Sequence, residues 1–233
     1  MSAHHILQEL LSLANAERAA FLQGFFKTGK GQYAEGDVML GITVPVMRDI
    51  VKHAPAMPLS EVQALLDSKY HEARLVGLLL LVRQLKKAKK PEQKEIFDFY
   101  LQNARRANSW DLVDASCRDI VGAYLLDKDD RSVLYRLAES DNLWEQRIAI
   151  VSTWTFIKYG QLDDTIRLAV KLLANKHDLI HKAVGWMLRE VGKKDRDTLI
   201  KFLEKHHSKM PRTALRYAIE RFLPEERAYF LDL

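Results

Sequence analysis

The sequence predicts an all-α chain, on three observations. Helix breakers are scarce: the 233 residues hold only 10 Gly and 6 Pro. Five of the glycines (Gly24, Gly29, Gly31, Gly36 and Gly41) fall in one segment, so helices can run almost uninterrupted elsewhere. Apolar residues recur at helical spacing from end to end. A helix-sized pattern also repeats. Glu72-Ala73-Arg74-Leu75-Val76-Gly77-Leu78 superposes on Glu145-Gln146-Arg147-Ile148-Ala149-Ile150-Val151 and on Ile180-His181-Lys182-Ala183-Val184-Gly185-Trp186, which aligns Arg74, Arg147 and Lys182. The offsets fit two periods and then one period of about 36 residues, near the ~40 of a HEAT-type helix pair. Such units bury their faces against neighbours and stack into a curved solenoid with a concave surface. With no Pro- or Ser-rich linker, the expectation is a single HEAT-like repeat domain over residues 1–233, large enough to bury one substantial core.

The elements follow in order. Ser2 caps a helix carrying Ile6, Leu7, Leu10, Leu11 and Leu13, and Asn15 caps the next, carrying Ala19, Phe21, Leu22, Phe25 and Phe26. Residues 28–43 break the pattern with four glycines. Thr43 followed by Val44-Pro45 reads as an N-cap with proline in the first turn, starting a helix to about His53. Further helices are expected at 60–67, 71–87, 91–103, 110–125, 131–138, 142–157, 162–173, 179–192, 196–204, 211–221 and 224–231, with no credible strand.

Lys plus Arg exceed Asp plus Glu by 36 to 31, a net charge of +5 that leans toward polyanionic partners without demanding them. The cations cluster at Lys86-Lys87-Ala88-Lys89-Lys90, Arg105-Arg106 and Lys193-Lys194-Asp195-Arg196. Each cluster reads either as the rim of a basic groove or as a solvated helix end favoured by the dipole. The single cysteine, Cys117, excludes an intrachain disulfide framework and reads as a structural thiol in a reducing, cytoplasmic setting. The longest apolar run, Leu78 to Val82, is too short to span a membrane, and the residues after Met1 form no secretory signal.

Two stretches place aromatics, acids and cations close together. Ser109-Trp110-Asp111-Leu112-Val113-Asp114 sets Trp110 and Asp114 four apart on one helix face. Asp141-Asn142-Leu143-Trp144-Glu145-Gln146-Arg147 opens an equivalent helix. Lys182-Ala183-Val184-Gly185-Trp186-Met187-Leu188-Arg189-Glu190 adds another tryptophan and more cations. In a basic helical chain this set suits a surface that meets a charged polymer of flat rings, and nucleic acid fits best. Asp114 also admits a plainer reading, an i,i+4 pair with Arg118 on an exposed helix. Trp144, Trp154 and Tyr124, set among apolar neighbours, read as core. Arg147 among apolar neighbours needs solvent or an anion, which fits a phosphate. His177 and His181 have metal-ligand spacing but no third ligand, so no metal is assigned.

At these residues, and at Leu40-Gly41-Ile42-Thr43-Val44-Pro45, the chain resembles the AlkD-type DNA alkylation repair family, DNA glycosylases built from HEAT-like repeats. The resemblance implies an enzyme that hydrolyses the N-glycosidic bond of N3- or N7-alkylated purines, such as 3-methyladenine and 7-alkylguanine. It implies no cofactor or metal, a monomer acting on alkylated double-stranded DNA, and no turning of the base into a closed pocket. It also implies roles: Asp114 as the catalytic carboxylate, Trp110 and Trp186 as the aromatic pair beside the lesion, and Arg147 as a DNA-backbone contact. Lys182 and Arg189, cations in the same matching stretches, are read beside them as further DNA contacts. Phe25-Phe26 stands where relatives offer a tyrosine. The rival expectation is a non-catalytic member of the fold, a DNA-structure binder or protein scaffold, because repeat folds often serve as platforms.

Overall fold

The computed structural model describes residues 2–232 and is helical throughout, with no strand among them and one isolated parallel bridge between Val38 and Tyr70. The chain divides into two compact units, Met1–Ser116 and Cys117–Leu233. No helix among the described residues is long and apolar enough to cross a membrane.

The N-terminal unit comprises α1 (Ala3–Ser12), α2 (Ala16–Phe25), α3 (Val44–His53), α4 (Leu59–Leu66), α5 (His71–Lys87), α6 (Lys90–Gln102) and α7 (Trp110–Cys117). The expected caps form: Ser2 Oγ accepts from His5 N at 3.3 Å, and Asn15 Oδ1 from Arg18 N at 2.9 Å. Thr43 does stand at the N-cap of α3, but its hydroxyl makes no capping bond. Helix α5 is the unit's axis, buried from His71 through Val82 and packed by α1, α3, α4 and α6. From Leu75 to Val82 it is apolar on every side, which is what an enclosed stretch of helix requires.

Two features go beyond the sequence reading. Helix α2 buries none of its residues, and Phe21 and Phe25 are 69% and 54% exposed, so the aromatic pattern marks an outward face. The glycine-rich segment before α3 is also firmly tied. Buried Glu72 accepts from the backbone N–H groups of Leu40, Gly41 and Ile42 at 2.9, 2.8 and 3.3 Å, and Leu40 O accepts from Asn15 N at 2.8 Å. Gly41 sits at φ 80, and a Cβ there would come within 2.3 Å of Asn15 O. Only glycine allows that approach and that backbone conformation. The Leu40-Gly41-Ile42 stretch is therefore a joint holding α2 to α5.

The C-terminal unit opens with a π-helical turn, Arg118–Gly122, which continues α7 into α8 (Ala123–Leu125). Then come α9 (Ser132–Glu139), α10 (Leu143–Ser152), α11 (Trp154–Lys158), α12 (Asp163–Leu172), α13 (Asp178–Lys194), α14 (Arg196–His206), α15 (Arg212–Ala218) and α16 (Pro224–Asp232). Helices pair as repeats do: α9 with α10, α12 with α13, and α13 centrally against α10, α11, α14 and α15.

Two helices expected to be continuous are interrupted, for one shared reason. A π turn leaves carbonyls without their usual i+4 donors. Ser152 Oγ donates to Cys117 O at 3.4 Å and Thr155 Oγ1 to Arg118 O at 2.7 Å. Thr153 Oγ1 folds back on Ile150 O at 2.7 Å, and α10 ends there rather than running on to 157. Gly122 permits the contact, since a Cβ would meet Ser152 O at 2.4 Å.

Candidate nucleic-acid interface

In the N-terminal unit, Trp110 and Asp114 both sit part-exposed on α7. The Trp110 ring stacks on Phe26 with centroids 5.5 Å apart and planes at 18°, and meets the edge of Phe25 at 6.2 Å. Phe25 stacks in turn on Phe21 at 6.2 Å. Four rings thus run from a half-buried tryptophan to the open face of α2, a platform on which flat bases can stack.

Beneath this run lies a buried charged relay. His71 Nδ1 donates to Asp37 Oδ2 at 3.0 Å and Nε2 to Asp111 Oδ2 at 2.8 Å. Arg74 Nη2 pairs with Asp37 at 2.6 Å, and Asn108 Nδ2 donates to Asp37 Oδ1 at 3.0 Å. Burial alone would push His71 down, but the bonds to Asp111 and then Asp37 outweigh it and raise its pKa to about 9. The imidazole is therefore an imidazolium at neutral pH. For Asp37 burial acts upward, while the His71 hydrogen bond and Arg74 hold it below the usual carboxylate range. A cavity of about 240 Å³, lined by Phe25, Phe26, Met39, Met47, His71 and Asp111 among others, opens beside the relay.

In the C-terminal unit Trp186 is part-exposed on α13. The Arg118 guanidinium carbon lies 4.9 Å from the Trp154 ring and 5.9 Å from Trp186, so one cation holds two indoles. Arg147, 5% exposed, donates through Nη1 to Leu179 O at 2.7 Å. Lys182 pairs with Asp178 at 2.7 Å, and Arg189 pairs with Glu220 and approaches Glu190 at 3.5 Å. All three candidate DNA contacts thus have protein partners here. The third cation of the repeat alignment, Arg74, is turned inward onto Asp37 in the other unit.

Trp144 is buried as its neighbours implied, and so is Cys117. Trp154 and Tyr124 are not core: Trp154 is half-exposed against Arg118, and Tyr124 lies 5.2 Å from Lys128 Nζ. Their apolar sequence neighbours face the other way round the helix, which adjacency along the chain conceals. Lys86, Lys87, Lys89 and Lys90 are exposed where α5 meets α6. In the 193–196 cluster, Lys193 pairs with Glu190 and Arg196 with Glu226, the pattern of a solvated helix end. His177 Nδ1 accepts from Leu179 N and His181 Nε2 donates to Asn175 O, so each ring is occupied locally.

Sequence reasoning missed Phe26, His71, Asp37 and Arg118 as site-forming residues. It quoted Asp111 only inside a motif. The one available signal was the pair His71-Glu72 at the head of an otherwise apolar helix, where two charges need a reason.

Residues 6–222 match the model of the DNA alkylation repair enzyme family. Among solved structures, one described as a predicted DNA alkylation repair enzyme from Enterococcus faecalis is similar at 19% identity and a TM-score of 0.70, covering 91% of this chain and 97% of that one. At that identity the likeness is one of fold. No curated protein matches the chain.

Proposed function

The chain belongs to the DNA alkylation repair enzyme family, and from that premise we propose that it is a DNA glycosylase that excises N3- and N7-alkylated purines from duplex DNA. The observation that carries the reading is the pairing of Trp110 and Asp114 on one face of α7, in a chain matched to the family over residues 6–222.

Alkylation at N3 or N7 makes the purine a cation, so it departs as a neutral base with little need of a general acid. What remains is an oxocarbenium-like sugar and the attack of water. Asp114 stabilises that sugar charge and orients or deprotonates the water, as carboxylates do in sugar hydrolysis. Tryptophan faces favour the cationic base and transition state, at roughly 0.5–2 kcal/mol for each ring. Trp110 and Trp186 take that part, and the lesion need not enter a closed pocket. Arg147, Lys182 and Arg189 are assigned to backbone phosphates, exchanging Leu179 O, Asp178 and Glu220 for phosphate oxygens on the concave basic surface expected of stacked repeats. No step calls for a metal or organic cofactor, and the protein acts as a monomer in the cytoplasm.

The test is release of free 7-methylguanine and 3-methyladenine from methylated duplex by the purified protein, followed chromatographically. Release above the spontaneous rate is expected. Salt-dependent binding with no release establishes the rival, a non-catalytic DNA binder, and binding indifferent to salt removes phosphate engagement from both readings.

A further inference from the structure

The relay under Trp110 spends two carboxylates and two cations in the interior. Buried ion pairs are a poor source of stability, because well-packed apolar residues of similar volume commonly do as well. They do fix geometry, and this network joins three separated segments: the glycine-rich loop through Asp37, the head of α5 through His71 and Arg74, and the first turn of α7 through Asp111. Asp111 is Trp110's neighbour in the chain. Phe26 touches both ends of the arrangement, 5.0 Å from the His71 ring and 5.5 Å from Trp110.

We propose that His71 is the positioning residue for Trp110: bonded at once to Asp37 and Asp111, and packed on Phe26, it sets where the α7 tryptophan ring sits for the lesion. This rests on the glycosylase reading for its consequence and on the geometry alone for its cause. A doubly protonated ring donates two N–H bonds, one to each aspartate. A neutral ring has one N–H and one lone pair. On losing a proton His71 keeps one carboxylate and presents a lone pair to the other, and a carboxylate facing a lone pair must move. Asp37 is anchored by Arg74 and Asn108. Asp111 has a second oxygen, Oδ1, with no hydrogen-bond partner, and it is the less buried of the two, at 19% side-chain exposure. Asp111 therefore yields, and the first turn of α7 carries Trp110 with it. The charged groups around the ring are Asp37 from the loop, Asp111 from α7, and Arg74 and Glu72 from α5, with Arg18 of α2 across the cavity.

The experiment incorporates 5-fluorotryptophan and follows the Trp110 fluorine signal, assigned with Trp110→Phe, from pH 7 to 10. It is run in wild type, His71→Gln and Asp111→Asn, with steady-state base release and duplex affinity measured alongside. In wild type the Trp110 signal shifts with a midpoint near pH 9 while the Trp186 signal does not, and kcat falls across the same interval. In His71→Gln the signal is displaced at every pH, the step is absent, and kcat drops by about tenfold or more from ring misplacement, with affinity held within about twofold. An unshifted Trp110 signal together with an unchanged pH profile in a folded variant overturns the proposal. Circular dichroism establishes folding, and if His71→Gln does not fold, Asp111→Asn decides by the same criteria. If wild type releases no base, the glycosylase reading fails while the fluorine measurement still decides whether His71 places Trp110.

Discussion

The two tryptophans assigned to the lesion are seated by opposite means. Trp110 rests on another ring, Phe26, above a buried imidazolium bridging two aspartates. Trp186 shares a single arginine with Trp154 at a π turn. The first seat is built from interlocking, nearly water-free contacts that tolerate little displacement. The second is one part-exposed guanidinium against two ring faces, an attraction less demanding of exact placement. On the proposed glycosylase reading, the difference suits the α7 side, where Asp114 also lies, to precise placement and the α13 side to adaptable grip.

The sharpest way to break this assignment is Asp114→Asn. Base release is expected to fall by about 100-fold or more, with duplex affinity nearly unchanged; equal losses in both would place Asp114 in grip rather than chemistry.

Next in size is stability against pH. The folded pKa of His71, about 9, lies above its unfolded value near 6.5. Its contribution, on the order of 3 kcal/mol, is therefore complete below about pH 6.5 and is lost as pH rises toward 9. Thermal unfolding midpoints should decline over that window in wild type and lose the decline in His71→Gln. A parallel decline in both would assign the loss to other groups.

A smaller effect is expected at the other seat. Arg118→Met keeps the bulk and removes the charge, and should cost about 1 kcal/mol of stability while shifting the fluorine signals of Trp154 and Trp186 and leaving Trp110 in place. Movement of Trp110 would merge the two seats into one.

The smallest effect is Arg147→Ala, which should weaken binding to all sequences alike and reduce the salt slope by about one phosphate contact. An unchanged slope would assign Arg147 to holding the fold, through contacts such as that with Leu179 O, rather than to the DNA backbone.

The helices were legible because their signals are local. Breakers cluster in one segment, Ser2 and Asn15 cap where expected, and α5 begins at His71 as its periodicity says. Trp110 and Asp114 were legible together because four residues on a helix is a local spacing too. The breaks at Thr153 and in the π turn were not, since the bonds of Ser152 and Thr155 to the carbonyls at Cys117 and Arg118 join segments far apart in sequence. Nor was the relay. Asp37, His71 and Asp111 lie far apart in sequence, and no spacing rule joins a loop aspartate to the head of a distant helix. The outward face of α2 was hidden for a different reason: periodicity reports that apolar residues share a side, not that the side is covered.

The Glu72 joint has a kinetic consequence. Amide protons exchange with solvent slowly when their hydrogen bonds open only on large unfolding, and loops normally exchange fast. Leu40, Gly41 and Ile42 belong to no helix, yet their N–H groups are held by one buried carboxylate on the unit's central helix. Those three amides are expected to exchange on the timescale of α5 itself, a short protected island in a segment that belongs to no helix.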